Sequence, residues 1–386
     1  MAEAFIPLSV PNFSGNEKKY TQEAVVSEWV STGGSLVPKF EEQISGYTGV
    51  QDAVATASGS AGLHLAFLVA GIGAGMEVIA PALTFIAAVN PISYVNARPV
   101  FIGCDDSLCI DPAAVEHFCE TNCEMRGGKL YNKATDAHVA ALDVVHVFGN
   151  MADMPRLLAL AEKYKLVLIE DATEALGTYY TEGPLNGKRA GTMGDVGVYS
   201  FNGNKLITTG SGGMVVSQND DWLKRARHLS TQAKTSEVFY THDEIGYNYR
   251  LTNLQAALGL AQMEQIEGFI AHKHVLYEYY REKLEGKNGF RLLPFRPDIR
   301  SNKWFFSLYL EDARHSRNDI IDKLKAQQIQ TRTIWGLIHE QPPYHGCEAY
   351  GMGTAKDRQT KVINIPCSTN LTLEEAARVA AALLAL

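Results

Sequence analysis

The sequence predicts an α/β fold: a large domain built on a mostly parallel sheet, followed by a smaller α+β domain. Short apolar runs such as 166–169 alternate with helical patterns, as strands covered on both faces do. A chain of 386 residues is too long for one simple core and suits a large unit plus a smaller one. The alternation ends near residue 252, where a long helical pattern begins.

Residues 1–35 carry Pro7, Pro11, Gly15, Gly33 and Gly34 with little periodicity and read as an N-terminal arm. Phe40, Ile44 and Tyr47 share one side of a helix over 38–47. The large domain, 36–251, then alternates strand and helix. Strands are expected at 52–56, 77–81, 99–102, 142–147, 166–169, 196–200 and 213–216. Helices are expected at 61–70, 85–94, 113–119 and 154–164. The polar stretch 124–140, with Gly127-Gly128, reads as an inserted loop. A long helix over 252–284, bent near Gly268, leads to a small domain at 285–386. Within that domain a strand is expected at 303–310 and helices at 319–327 and 374–384.

The net charge of −8 argues against nucleic acid or an anionic membrane as partner. No stretch approaches the length of a membrane span. Six cysteines in a long chain without a secretory start read as thiols in a reducing cytoplasm. Cys119, Cys123 and His117 lack the further ligands of a metal site, so no metal is expected.

Ligands of α/β sheets collect beyond the carboxyl ends of strands, and four segments lie there. The run 57–62, Ala-Ser-Gly-Ser-Ala-Gly, opens a helix. Its free N–H groups and the Ser60 hydroxyl suit a phosphate; a plain turn with Ser60 as N-cap is the alternative. Glu170-Asp171 follows an apolar strand. A carboxylate there suits a cation or a protonated ring nitrogen, or is simply solvated. Lys205 sits among small and polar residues before Thr208-Thr209-Gly210. It is either a covalent-catalysis lysine or a surface lysine in a turn. Phe85, just past a strand end, can stack on a flat ring or fill the core. The order is phosphate turn, aromatic, aspartate, lysine.

With Glu170-Asp171-Ala172, Ser200-Phe201-Asn202-Gly203-Asn204-Lys205, Thr208-Thr209-Gly210 and Gly246-Tyr247-Asn248-Tyr249-Arg250, the chain resembles the DegT/DnrJ/EryC1/StrS sugar aminotransferases along nearly its whole length. That resemblance implies an aspartate-aminotransferase-like fold with a seven-stranded sheet, and pyridoxal 5'-phosphate as cofactor, cycling through pyridoxamine 5'-phosphate. By the same resemblance Lys205 matches the lysine that binds the cofactor covalently and shuttles the proton. Asp171 matches the partner of the pyridine nitrogen, Phe85 the ring-stacking aromatic, and Ser60, the Ala61 backbone and Ser200 the phosphate cradle. Glu174 matches a residue near the phenolic oxygen. Asn248 matches an asparagine that reaches the phosphate from a neighbouring subunit, which implies a homodimer with shared active sites. Arg250 either binds an anionic part of the substrate or holds its loop. Ser211 departs from the Glu or Gly of many relatives.

His146-Val147-Phe148-Gly149-Asn150, the start 7–17 and the run 248–253 are similar to the legionaminic-type branch. The implied reaction moves an amino group from L-glutamate to a keto sugar, with a UDP-4-keto-6-deoxy-N-acetylhexosamine first and the 8-keto form of Kdo as alternative. Such chemistry belongs to surface-glycan and lipopolysaccharide biosynthesis. His146, Arg250, Arg332 and His339 are the candidate substrate contacts, while Trp335 and Tyr344 are contacts or core. Retention of Lys205 and Asp171 argues against a dehydratase, in which that lysine is replaced, and against a non-catalytic member.

Overall fold

The computed structural model describes residues 4–236, 238–311 and 316–386, so residues 1–3 of the expected arm and 312–315 of the expected small domain lie outside the described residues. A ten-stranded sheet forms its centre. Seven strands run in the order Ala53–Thr56, Gly213–Val216, Val196–Ser200, Val167–Asp171, His138–Val145, Met76–Pro81 and Arg98–Ile102. From Val196–Ser200 to Arg98–Ile102 every step is parallel, and the two steps at the other end are antiparallel. These are the seven expected strands. The other three are Ala349–Tyr350, parallel to Arg98–Ile102, and a hairpin beside His138–Val145.

That hairpin corrects the expected loop at 124–140. Cys123–Arg126 pairs with Lys129–Asn132 around Gly127-Gly128. Both glycines have positive φ (57° and 81°), the requirement of a tight two-residue turn. The expected helix at 85–94 is also broken, into a short 3-10 turn at Ile86–Ala88 and a helix at Asn90–Tyr94. Pro91 has no N–H and its ring crowds the preceding turn, so it starts a helix rather than continuing one.

The expected long helix is two helices, Asn253–Met263 and Ile266–Leu284, interrupted at Glu264-Gln265 rather than bent at Gly268. The arm meets this interruption. Glu17 accepts hydrogen bonds from Gln262 (2.7 Å) and Gln265 (2.6 Å), and Ser14 donates to Gln265 (2.8 Å). Nor is the arm irregular throughout, since Glu17–Val26 is a helix.

A second, antiparallel sheet follows, in the order Phe290–Leu292, Phe306–Leu310, Val362–Ile365 and Arg332–Thr333. Its strand at Phe306–Leu310 starts three residues later than expected, because Lys303, with φ 50°, lies outside extended geometry. Both sheets meet one cleft, described next. Among the described residues no helix is long and apolar enough to cross a membrane.

Candidate active site

A cleft of about 480 Å³ opens beyond the carboxyl ends of the central strands. Ser60, Phe85, Asp171, Glu174, Ser200, Lys205 and Arg332 line it together, although they are scattered over the sequence.

Asp171 ends its strand and is almost fully buried. One oxygen accepts the Thr173 N–H at 2.9 Å. Burial raises its pKa, and the Lys205 cation works against that rise. Glu170, one residue earlier, points away by strand alternation. It accepts the backbone N–H groups of Gly191 (2.8 Å), Met193 (2.6 Å) and Gly194, fixing a turn.

His146 belongs to that scaffold and is not in the cleft lining, contrary to its expected substrate role. It is wholly buried, and its Nε2 meets Glu170 at 2.8 Å. The Ala152 N–H donates to its Nδ1 at 3.2 Å, so Nε2 carries the proton given to Glu170.

Lys205 Nζ lies 3.6 Å from Glu174 and 4.1 Å from the centroid of the Trp304 ring. The Trp304 indole donates to the Asn204 carbonyl at 2.7 Å, which ties the lysine turn to the second sheet. Glu174 also accepts the Phe148 N–H at 2.7 Å. Burial pushes its carboxyl up to about 7, with the Lys205 cation opposing. Phe148 has φ 55°, a left-handed conformation uncommon for a bulky residue. That conformation coincides with the aim of its N–H at Glu174.

The helix Gly59–Val69 is capped by Ser58, not Ser60. The Ser58 hydroxyl accepts the Ala61 N–H at 3.1 Å, so that amide is occupied and Ala61 is absent from the cleft lining. Gly59 and Ser60 are left at the helix start, facing the cleft. A Cβ on Gly59 would lie 2.9 Å from the Ser200 Cβ, so only glycine lets the helix start and Ser200 approach this closely. Phe85 is 53% exposed on the cleft wall.

Two more expected contacts fall elsewhere, and Asn248, expected to serve a neighbouring subunit, is not a lining residue of its own chain's cleft. Arg250 pairs through both terminal nitrogens with buried Glu41, one at 3.1 Å, and donates to the Ala55 carbonyl at 3.3 Å. It therefore holds its loop and does not line the cleft. His339 sits on the 3-10 turn Ile338–Glu340 against Phe101, with ring centroids 6.3 Å apart. Asn248 bridges to Thr231, outside the cleft of its own chain. Tyr344 is core, its hydroxyl donating to Asn90 at 2.8 Å, whereas Trp335 lines the cleft. Sequence reasoning missed Phe148, Trp304 and Phe305. The aromatic run 304–306 was a visible signal for two of them.

A DegT/DnrJ/EryC1/StrS aminotransferase family model matches residues 11–384. The chain belongs to that family. It is a pyridoxal phosphate-dependent sugar aminotransferase. The chain is 36% identical to a putative pyridoxal phosphate-dependent aminotransferase, EpsN, of Bacillus subtilis (strain 168), over 98% of this chain and 95% of that one. It is 35% identical to a GDP-perosamine synthase of Escherichia coli O157:H7, over 96% and 95%. The crystal structure of DesI, in the presence of its TDP-sugar product, superimposes with a TM-score of 0.87 at 26% identity, over 99% and 93%.

The cleft of this family member has the donor set that pyridoxal phosphate needs. A buried carboxylate could hold the protonated ring nitrogen, Phe85 could stack on the ring, and Ser60, Ser200 and the helix start could take the phosphate.

Proposed function

We propose that this cleft transfers the amino group of L-glutamate to a nucleotide-linked keto sugar, with a UDP-4-keto-6-deoxy-N-acetylhexosamine as the acceptor to test first. The observation that carries the reading is Lys205 Nζ held between Glu174 and Trp304 in the cleft that Asp171 also lines. Bound pyridoxal phosphate supplies an electron sink for the pair released when a proton leaves the carbon bearing the amino group. The chain's own groups do the rest. Lys205 Nζ removes that proton and returns it at the other end of the exchange. Asp171 would keep the proton on the ring nitrogen, and Phe85 would pack on the ring. Ser60, Ser200 and the helix start hold the phosphate. Glu174, whose carboxyl burial pushes up to about 7, would stand near the phenolic oxygen as its hydrogen-bonding partner.

Arg332 is the cation available to an anionic part of the acceptor. It is exposed, lines the cleft and makes no ion pair among the described residues. By the family resemblance Asn248, which lies away from its own cleft, serves that of a second copy, giving a homodimer with shared sites as the working unit, and the cytoplasm is the proposed location. A role in surface-glycan synthesis follows from the product class. The GDP- and TDP-sugar names of two relatives support a nucleotide-linked acceptor.

The test is transfer from ¹⁵N-glutamate to the UDP-linked 4-keto sugar, a GDP-linked 4-keto sugar and the 8-keto octulosonate, read by mass spectrometry. Label in the UDP-linked product is expected. Label only in the octulosonate would overturn the nucleotide-linked assignment, and label in none would overturn the acceptor class.

A further inference from the structure

Four aromatic side chains form one continuous wall of the cleft: Trp304, Phe305, Phe148 and Trp335. Trp304 and Phe305 stack with centroids 4.1 Å apart. Phe148 meets Phe305 edge-on at 5.6 Å, and the Trp335 ring lies nearly flat on Phe148 at 4.6 Å and 30°. The first three are buried and spend their faces on each other or on Lys205. Trp335 ends the row and is only partly buried.

The two tryptophans differ in a second way. The Trp304 indole N–H donates to the Asn204 carbonyl at 2.7 Å. That of Trp335 has no protein partner among the described residues and is not among the fully buried unsatisfied polar atoms, so solvent reaches it. An indole that lines a cleft with its donor uncommitted to the protein is free to meet a ligand there. Exposed Arg332 lies three residues earlier and lines the same cleft.

We infer that Trp335 is the specificity-determining platform for the acceptor: its indole takes the apolar face of the sugar ring, and Arg332 takes the diphosphate. This deepens the proposed function and rests on it. A pyranose presents axial C–H groups on one face and hydroxyls at its rim. A flat ring with a donor at its edge matches both, and Phe148 behind it keeps the indole from tilting away. L-glutamate, without a ring, gains nothing from this surface. Trp335 therefore acts on the acceptor half of the exchange and not on the donor half.

The experiment uses cofactor-loaded native protein, Trp335→Ala and Trp335→Phe. UDP-N-acetylglucosamine and GDP-mannose serve as binding probes, followed by calorimetry. In the same samples, the visible absorbance change driven by glutamate reports the donor half-reaction. At least one probe should bind the native protein, with affinity about tenfold weaker in Trp335→Ala and largely kept in Trp335→Phe. The glutamate-driven change should be kept in Trp335→Phe, and in Trp335→Ala it should fall by a much smaller factor than probe binding does. Equal probe binding by native protein and Trp335→Ala, or binding of neither probe, overturns the platform. A parallel loss of the glutamate step overturns it too, since that marks a general packing defect. If the native protein shows no glutamate-driven change, the aminotransferase chemistry itself fails, which is a separate result from any of these.

Discussion

Replacing Glu174 with glutamine removes a charge and little else. The side chain keeps its length, and its amide oxygen can still accept the Phe148 N–H that Glu174 takes at 2.7 Å. Burial raises the native carboxyl from 4.5 to about 7. Between those values the folded chain holds a proton that the unfolded chain has released. The contribution of this group to stability is thus full below pH 4.5 and lost as pH rises through about 7. The rise corresponds to about 3 kcal/mol at pH 8. Glutamine does not titrate, so Glu174→Gln should escape that loss. Loss of the 3.6 Å Lys205 partner is already contained in that figure, because the value of about 7 includes the opposing pull of the lysine cation. The assay is denaturant unfolding of cofactor-free native and variant protein from pH 4.5 to 8. Their difference should move by about 3 kcal/mol in favour of the variant across that range. A difference constant with pH would refute the placement of a raised carboxyl beside Lys205.

Asp171→Asn should leave the fold intact and lower turnover by roughly 100-fold or more, measured as amino transfer with saturating cofactor, because no charge then holds the ring-nitrogen proton. Glu41→Ala should destabilise the protein by about 3 kcal/mol in denaturant titration, since it removes the buried carboxylate shared by partly buried Arg250 and Arg227. The same variant should keep its KM for glutamate, because Arg250 holds a loop and not the substrate.

Asp171, Ser200 and Lys205 could be grouped from sequence because the first two end apolar strands, the third sits in the turn that follows, and the family resemblance joins them; the structure lines one cleft with all three. Contacts that depend on register were not readable. His146 looked free, yet its partner Glu170 lies 24 residues away, on the neighbouring strand that pairs Val145 with Asp171. Arg250 looked available for an anion, yet Glu41 is 209 residues away. The twist that aims Phe148 N–H at Glu174 is a backbone angle imposed by its surroundings, and phenylalanine gives no hint of it. The hairpin at Gly127-Gly128 was a different kind of miss. Its glycine pair between strand-like runs was visible and was read as a loop because the flanks are polar.

The account depends most on Lys205 as the residue that carries the cofactor. Borohydride reduction of the pyridoxal phosphate-loaded protein, followed by peptide mapping, tests it directly. The expected result is one reduced cofactor per chain on Lys205, and none in Lys205→Ala. Cofactor fixed instead to buried Lys273, whose Nζ is already held by the Trp304 and Cys367 carbonyls at 2.7 and 2.6 Å, or to any other lysine, would contradict it.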